Sequence, residues 1–284
     1  MRPHRDHFVE LRTLRHHVVE WEGPPGGRTV LLLHGYLDHA HIFDKLAAEL
    51  TEFRLLAPDF RGQGDSDPVA PGAYYHFFDY VADLHGVIRA LATPPVALLA
   101  HSMGGSVGCY FSGAFPEQVS HLCLLEGIGP PGCEFEETPL RVRGFVEDLA
   151  RPRSRRRHAS VEAAAARVRQ RNPSIREPDA LAFAQQGTRP DGDEVVWKFD
   201  PLHHARMPQP FLEQTMLAFL RRIDAPTLIL EGADGYLLAE GPRTRRLAAL
   251  PHLVEAIRVP GAGHHLQLDA PALVADKLRW LLSQ

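Results

Sequence analysis

The sequence predicts an α/β fold with a mostly parallel sheet and helices on both faces. Three observations carry this expectation. Short apolar runs at residues 29–33 (TVLLL), 53–57 (FRLLA), 96–100 (VALLA) and 227–230 (TLIL) read as strands buried on both sides. Segments with helical apolar spacing alternate with those runs, as βαβ connections require. The length, 284 residues, suits one such unit carrying an insertion better than a series of small domains.

The elements follow in order. Residues 8–12 and 15–21 are β-prone and close enough for a hairpin, and GPPGG at 23–27 is a turn. The strand at 29–33 leads to a helix over 42–50, and the strand at 53–57 stops at Pro58. Residues 77–91 place Val81, Leu84, Val87, Ile88 and Leu91 on one helical face. A strand at 96–100 runs directly into a small-residue helix over 102–115, followed by a strand at 122–125.

The pattern then changes. A Gly/Pro loop at 127–132 opens a polar, helical stretch from 139 to 220 with no buried-strand run. It includes a basic run, RPRSRRR at 151–157, an Ala-rich helix at 161–170 and a helix at 211–221. The run at 151–157 reads as a solvated face. The βα rhythm returns with the strand at 227–230, a helix through 244–250, a strand at 254–259 and a last helix at 271–282. Residues 1–129 and 221–284 therefore form the predicted core, and 130–220 a helical cap or lid inserted into it.

Composition narrows the function. Apolar residues make up 44% and charged residues 23%, which suits a packed globular chain. The formal net charge of -4 argues against general binding to nucleic acid or acidic membrane surfaces. Three cysteines give neither a disulfide framework nor a Cys-x-x-Cys site, so a reducing, cytoplasmic setting is expected. The opening MRPHRDHFVELR has no apolar leader core. Residues 90–116 lack Asp, Glu, Lys and Arg, but Pro94-Pro95 and a run of Gly, Ser and His break them into a strand, a turn and a helix rather than a membrane span. The chain holds 17 histidines, yet no His-Glu-x-x-His or comparable ligand spacing occurs. No glycine-rich dinucleotide fingerprint follows the first buried strand. Neither a metal nor a cofactor is expected.

The chemistry concentrates at Ala100-His101-Ser102-Met103-Gly104, where a buried strand enters a serine and then a helix. A serine hydroxyl is a weak nucleophile unless a base removes its proton. A tight strand-to-helix turn exposes that oxygen and points a helix N-terminus at it. Small residues at 100 and 104 let the backbones approach.

Four segments together resemble the α/β-hydrolase superfamily over nearly the whole chain. His34-Gly35-Tyr36 is similar to its oxyanion loop, and Asp59-Phe60-Arg61-Gly62-Gln63-Gly64-Asp65-Ser66 to its D-x-R-G-x-G-x-S turn. His101–Gly105 resembles the nucleophile elbow, with Ala100 where Gly is more usual, and Gly261-Ala262-Gly263-His264 the catalytic-histidine loop. HHLQLDAP, from His264 onward, further resembles the serine-hydrolase-like branch. The resemblance implies an eight-stranded α/β-hydrolase core with its site at the strand C-termini beneath the cap.

It also implies roles. Ser102 is the expected nucleophile and His264 the base, with His265 a competing neighbour. Asp234, at the end of the 227–230 strand, sits where the family usually keeps its acid. Glu126, at the end of the preceding core strand, is the alternative, and Glu231 a third option. The backbone N–H groups of Tyr36 and Met103 are the expected oxyanion donors. Asp59, Arg61 and Ser66 read as structural. Aromatic residues Phe135, Phe145, Phe183 and Trp197 either line a pocket or pack the cap.

The expected function is hydrolysis of a small to medium carboxylic ester through an acyl-enzyme with a Ser-His-Asp triad. A serine at 102, where an alkyl-ester mechanism needs a carboxylate, argues against dehalogenase and epoxide-hydrolase chemistry. C–C bond hydrolase, thioesterase, acyltransferase and cofactor-free dioxygenase activities use the same triad and stay open. A receptor-like ligand-binding protein on this fold is the alternative of another class. The expected partner is a small acyl substrate, and the chain is a monomer or homodimer.

Overall fold

The structure, a computed structural model, describes residues 2–151, 153–236 and 238–284. Strands β1 (Arg5–Leu11) and β2 (Leu14–Trp21) pair antiparallel as the expected hairpin. The βα alternation follows: β3 (Thr29–Leu33), α1 (Asp44–Glu49), β4 (Arg54–Pro58), α2 (Phe77–Leu91), β5 (Val96–His101), α3 (Met103–Ala114) and β6 (Val119–Leu125). A long excursion holds α4 (Thr138–Leu149), β7 (Arg157–His158), α5 (Val161–Arg171), α6 (Glu177–Gly187), β8 (Thr188–Asp191), β9 (Glu194–Trp197) and α7 (Glu213–Leu220). The chain then returns through β10 (Thr227–Gly232), α8 (Glu240–Ala249), β11 (Leu253–Val259), α9 (Leu266–Asp269) and α10 (Pro271–Leu282).

Eight strands make one sheet in the order β1-β2-β4-β3-β5-β6-β10-β11. β2 pairs antiparallel with both β1 and β4, and every pairing from β4 to β11 is parallel. The chain therefore folds as the α/β-hydrolase class predicted from its sequence. The apolar runs explain why. Alternate side chains of a strand face opposite sides of a sheet. Val30, Leu32, Ala97 and Leu99 enter a core layer with α1 and α10, while Leu31, Leu33, Leu98 and Ala100 enter a second layer with α2 and α3. All these residues are buried, and each fully buried valine or leucine contributes about 1.5–3 kcal/mol. A run that is apolar at every position is what a strand covered on both faces needs.

The excursion between β6 and β10 adds no strand to this sheet. It contains the expected helices and also an unexpected three-stranded antiparallel sheet, β7-β9-β8. Ala164, Ala165, Ile175, Ala180 and Ala184 of α5, α6 and their connection join the first core layer, and Met216 and Leu220 of α7 join the second. Polar ties add to this packing: Tyr36 Oη donates to the His203 carbonyl (2.6 Å), Tyr75 Oη to Asp200 (2.8 Å), and Lys198 Nζ to Asp65 (2.6 Å). Among the described residues no helix is long and apolar enough to cross a membrane.

Residues 59–66 form a largely buried polar turn. The Asp59 carboxylate accepts from His17 Nδ1 (2.7 Å), Ala40 N (2.7 Å) and Asp65 N (2.9 Å). Ser66 Oγ donates to the Asp59 carbonyl and accepts from His17 N. Arg61 meets Asp83 through two parallel hydrogen bonds of 2.6 Å. Burial alone would push the Asp59 carboxyl up, but the His17 bond and charge hold it well below its usual range. The same pair raises His17, against its own burial. The signs oppose each other. Asp59 contributes stability above its unfolded value and loses it as pH falls. His17 contributes below its unfolded value and loses it as pH rises through its raised folded value. Asp59→Asn breaks a buried pair and is expected to cost roughly 3–5 kcal/mol. Urea midpoints at neutral pH test this. The variant's stability should also fall less steeply than the wild type's on acidification.

Candidate active site

The nucleophile turn is built by close backbone approach. Ser102 lies between β5 and α3 with φ 53° and ψ -114°, a conformation that costs of order 1–3 kcal/mol for a residue with a Cβ. It is held by Ser102 N donating to the Leu125 carbonyl (2.9 Å) and by Ser106 N donating to the Ser102 carbonyl (3.1 Å). Gly104 and Gly127 make the turn possible: a Cβ on the first would strike the carbonyls of Leu33 and His34, and one on the second the Ser102 carbonyl.

Ser102 Oγ is 3.1 Å from His264 Nε2, and His264 Nδ1 is 3.2 Å from Glu126 Oε2. A carboxylate only accepts, so Nδ1 carries the ring proton and Nε2 presents its lone pair to the serine O–H. The Glu126 side chain is fully buried, whereas that of His264 is 27% exposed. Glu126 has φ 55°, which turns it off the end of β6 toward the next loop. There its carboxylate accepts from Gly232 N and from Tyr236 N (2.7 Å) as well as from His264. Three donors satisfy a buried carboxylate that would otherwise be costly.

Asp234, preferred from its position after β10, is not in this arrangement. It is exposed, and its side chain has no hydrogen bond or ion pair among the described residues. The physical reason lies in the loop after β10: Asp234 N donates to the Ala262 carbonyl and Gly235 N to the Gly232 carbonyl, and the carboxylate that fills the space beside Gly235 is that of Glu126. Glu231, the third option, is taken by Arg243, with contacts of 2.6 and 2.9 Å.

His265, the competing base, turns away from Ser102. Its Nε2 is 3.8 Å from Asp38 Oδ2. His101 packs against both histidines and donates from Nε2 to the His264 carbonyl (2.8 Å), fixing the loop. Burial pushes His101 down to about 4, so it stays neutral at physiological pH. Asp38, also 3.5 Å from His101 Nδ1, was not singled out from the sequence; its place beside the His34-Gly35-Tyr36 loop was the signal available. His34 itself donates from Nδ1 to the Gly35 carbonyl (2.8 Å) and accepts at Nε2 from Phe60 N (3.0 Å), which fixes its neutral tautomer and joins the loop to β4.

The amides of Tyr36 and Met103 have no acceptor among the described residues. Met103 opens α3, where the first N–H groups lack helical partners and the helix dipole favours negative charge.

Ser102 and Tyr36 border two cavities. One, of about 410 Å³, also meets His264 and is lined by Arg156, Arg167, Arg171 and Trp197. The other, of about 250 Å³, is mostly apolar, with Phe77, Ile128, Phe211 and Leu238 in its wall beside Glu126 and Glu231. Of the four aromatic residues left undecided by the sequence, Phe183 and Trp197 line the first cavity. Phe145 packs edge-on against Tyr74, and Phe135 is 71% exposed.

Comparison with known proteins identifies the family. The family described as alpha/beta hydrolase fold matches residues 28–271. The chain is 28% identical over 266 residues to a serine hydrolase-like protein of Danio rerio, covering 89% of this chain and 81% of that one. It is 28% identical over 279 residues to a 3-hydroxybutyrate-oligomer hydrolase of Cupriavidus necator, covering 90% and 89%. The solved thioesterase domain from the curacin biosynthetic pathway superposes with a TM-score of 0.86 at 25% identity, covering 98% of this chain and 99% of that one.

Proposed function

The chain belongs to the α/β-hydrolase fold family and is a hydrolase of the serine type, and from that premise we propose that it cleaves a carboxylic ester through a covalent acyl-enzyme with a Ser-His-Glu triad. The observation that carries this reading is the continuous relay from Ser102 Oγ through His264 to Glu126, at 3.1 and 3.2 Å. The similarity to a 3-hydroxybutyrate-oligomer hydrolase supports an ester substrate.

The steps follow from the atoms present. Ser102 Oγ attacks the ester carbonyl carbon while His264 Nε2 takes the hydroxyl proton. The buried Glu126 carboxylate holds the ring in the required tautomer and stabilises the imidazolium that forms. Negative charge develops on the carbonyl oxygen and is met by the N–H groups of Tyr36 and Met103, each worth about 2.7–4 kcal/mol in comparable sites. His264 then gives the proton to the leaving alkoxide and the C–O bond breaks. Water, deprotonated by His264, attacks the acyl-enzyme and releases the acid and free Ser102. Residues 130–220 serve as a cap that walls both cavities and limits water entry.

A thioester would follow the same steps with a thiolate leaving group, and the fold shared with a thioesterase domain favours including it. The test is a fluorophosphonate probe followed by p-nitrophenyl esters of increasing acyl length and matched acyl thioesters. Stoichiometric labelling with ester turnover is expected. Folded protein that resists the probe would overturn this reading in favour of a binding protein.

A further inference from the structure

We infer that the natural substrate carries an anionic group, a carboxylate or phosphate, bound by Arg156, Arg167 and Arg171 in the larger cavity at Ser102. The inference deepens the hydrolase reading and rests on it for the position of the scissile bond. All three arginines line that 410 Å³ cavity together with Ser102 and His264. None of the three faces a carboxylate among the described residues; Arg167 meets only the Gln170 side-chain oxygen, and its buried Nε has no partner.

The surrounding arginines behave differently. On the outer surface of the same segment Arg143 pairs with Glu147, Arg157 with Asp191, Arg169 with Glu177 and Arg206 with Asp148. The helix places the difference. Arg167 and Arg171 are one turn apart on α5 and face the cavity, while Arg169 between them points outward to its glutamate. Arg156 reaches the cavity from the extended basic run, next to Arg155, which instead caps the carbonyls of Trp197 and Lys198.

Nothing else in the cavity neutralises this charge. Its one acidic lining residue, Asp38, lies against His101 and His265. The lining histidines His158 and His204 are pushed down by burial and then by the neighbouring arginines, so they offer neutral ring nitrogens. Planar guanidiniums suit bidentate capture of carboxylate or phosphate oxygens. The second cavity has no arginine in its lining; its wall is mostly apolar, and its two carboxylates, Glu126 and Glu231, are already engaged by His264 and Arg243. The pair therefore fits an acyl compound that is apolar on one side of the scissile bond and anionic on the other. His264 borders the basic cavity alone of the two, and it must reach the leaving oxygen, so the anionic group is expected on the leaving side.

Binding to Ser102→Ala, which needs no turnover, tests this by calorimetry with two matched pairs. 4-(Butyryloxy)benzoate and its methyl ester differ by a charge on the leaving side. Mono-4-nitrophenyl glutarate and 4-nitrophenyl pentanoate differ by a charge on the acyl side. The charged member of the first pair is expected to bind at least tenfold more tightly, and the triple change Arg156→Gln, Arg167→Gln, Arg171→Gln should remove that preference. If the triple variant does not fold, Arg156→Gln and Arg171→Gln alone, both at exposed positions, should reduce it. A preference confined to the second pair supports the anion site and moves the charge to the acyl side. Equal binding within both pairs, or a preference untouched by the arginine changes, overturns the inference. Because the hydrolase reading is tested by fluorophosphonate labelling of the wild type, either can fail without the other.

Discussion

Ser102→Ala is expected to lower kcat on p-nitrophenyl esters by about 10⁴–10⁶-fold and to abolish fluorophosphonate labelling. The size of the effect follows from the relay. His264 Nε2 is 3.1 Å from Ser102 Oγ, so removing the oxygen leaves the base with nothing to deprotonate except water. The residual rate should be that of a site that still binds substrate and still aims two N–H groups at the carbonyl. Binding should survive, because the cavities at Ser102 are formed by many side chains besides its own. Stability should change little: alanine meets the same backbone strain at φ 53° that serine already meets. A thermal midpoint near that of the wild type with kcat reduced by orders of magnitude supports the covalent mechanism. Retained turnover would show that Ser102 is not the nucleophile.

The core was legible because its signals are local. A strand covered on both faces needs an unbroken apolar run, and β3, β5 and β10 carry one at 30–33, 96–100 and 228–230. The nucleophile turn was legible because close backbone contact demands small residues at fixed offsets from Ser102. The small sheet of the inserted segment was not. Its strands are two to four residues long, RH, TRPD and EVVW, and only the last carries an apolar run, too short to show a strand period. The run at 151–157 divides for a related reason. Arg151, Arg156 and Arg157 are exposed, as a solvated face requires, but adjacent arginines on an irregular backbone point different ways. Arg155 turns in to backbone carbonyls, Arg156 lines the cavity and Arg157 pairs outward with Asp191. Charge composition identifies such a run; only the path of the backbone sorts its members.

The proposed acid of the triad shows the same boundary between local and tertiary information, and it gives the second large expected effect. Both Asp234 and Glu126 follow core strands, so position in the sequence favours neither by physics. What separates them is the φ of 55° at Glu126, the two amides that receive its carboxylate and the room left beside Gly235. Glu126→Gln is expected to reduce kcat about 10³–10⁴-fold with KM little changed. The amide keeps the size of the carboxylate but can donate. With its oxygen claimed by the Gly232 N–H, its NH₂ takes the place of Oε2, meets His264 Nδ1 and favours the tautomer with the proton on Nε2. That nitrogen can no longer accept from Ser102, and the imidazolium formed during attack loses its counter-charge. Asp234→Asn changes an exposed side chain while its backbone bond to Ala262 persists, so kcat should stay within a few-fold of the wild type. Fluorophosphonate labelling rates should follow the same order, since labelling needs the activated serine but no leaving alcohol. Thermal midpoints separate a damaged fold from a damaged relay: Glu126→Gln must remain folded at the assay temperature for its loss to count. Should Asp234→Asn suffer the larger fall in both kcat and labelling rate, the acid would be Asp234, and the loop after β10 would have to rearrange to bring it to His264 during turnover.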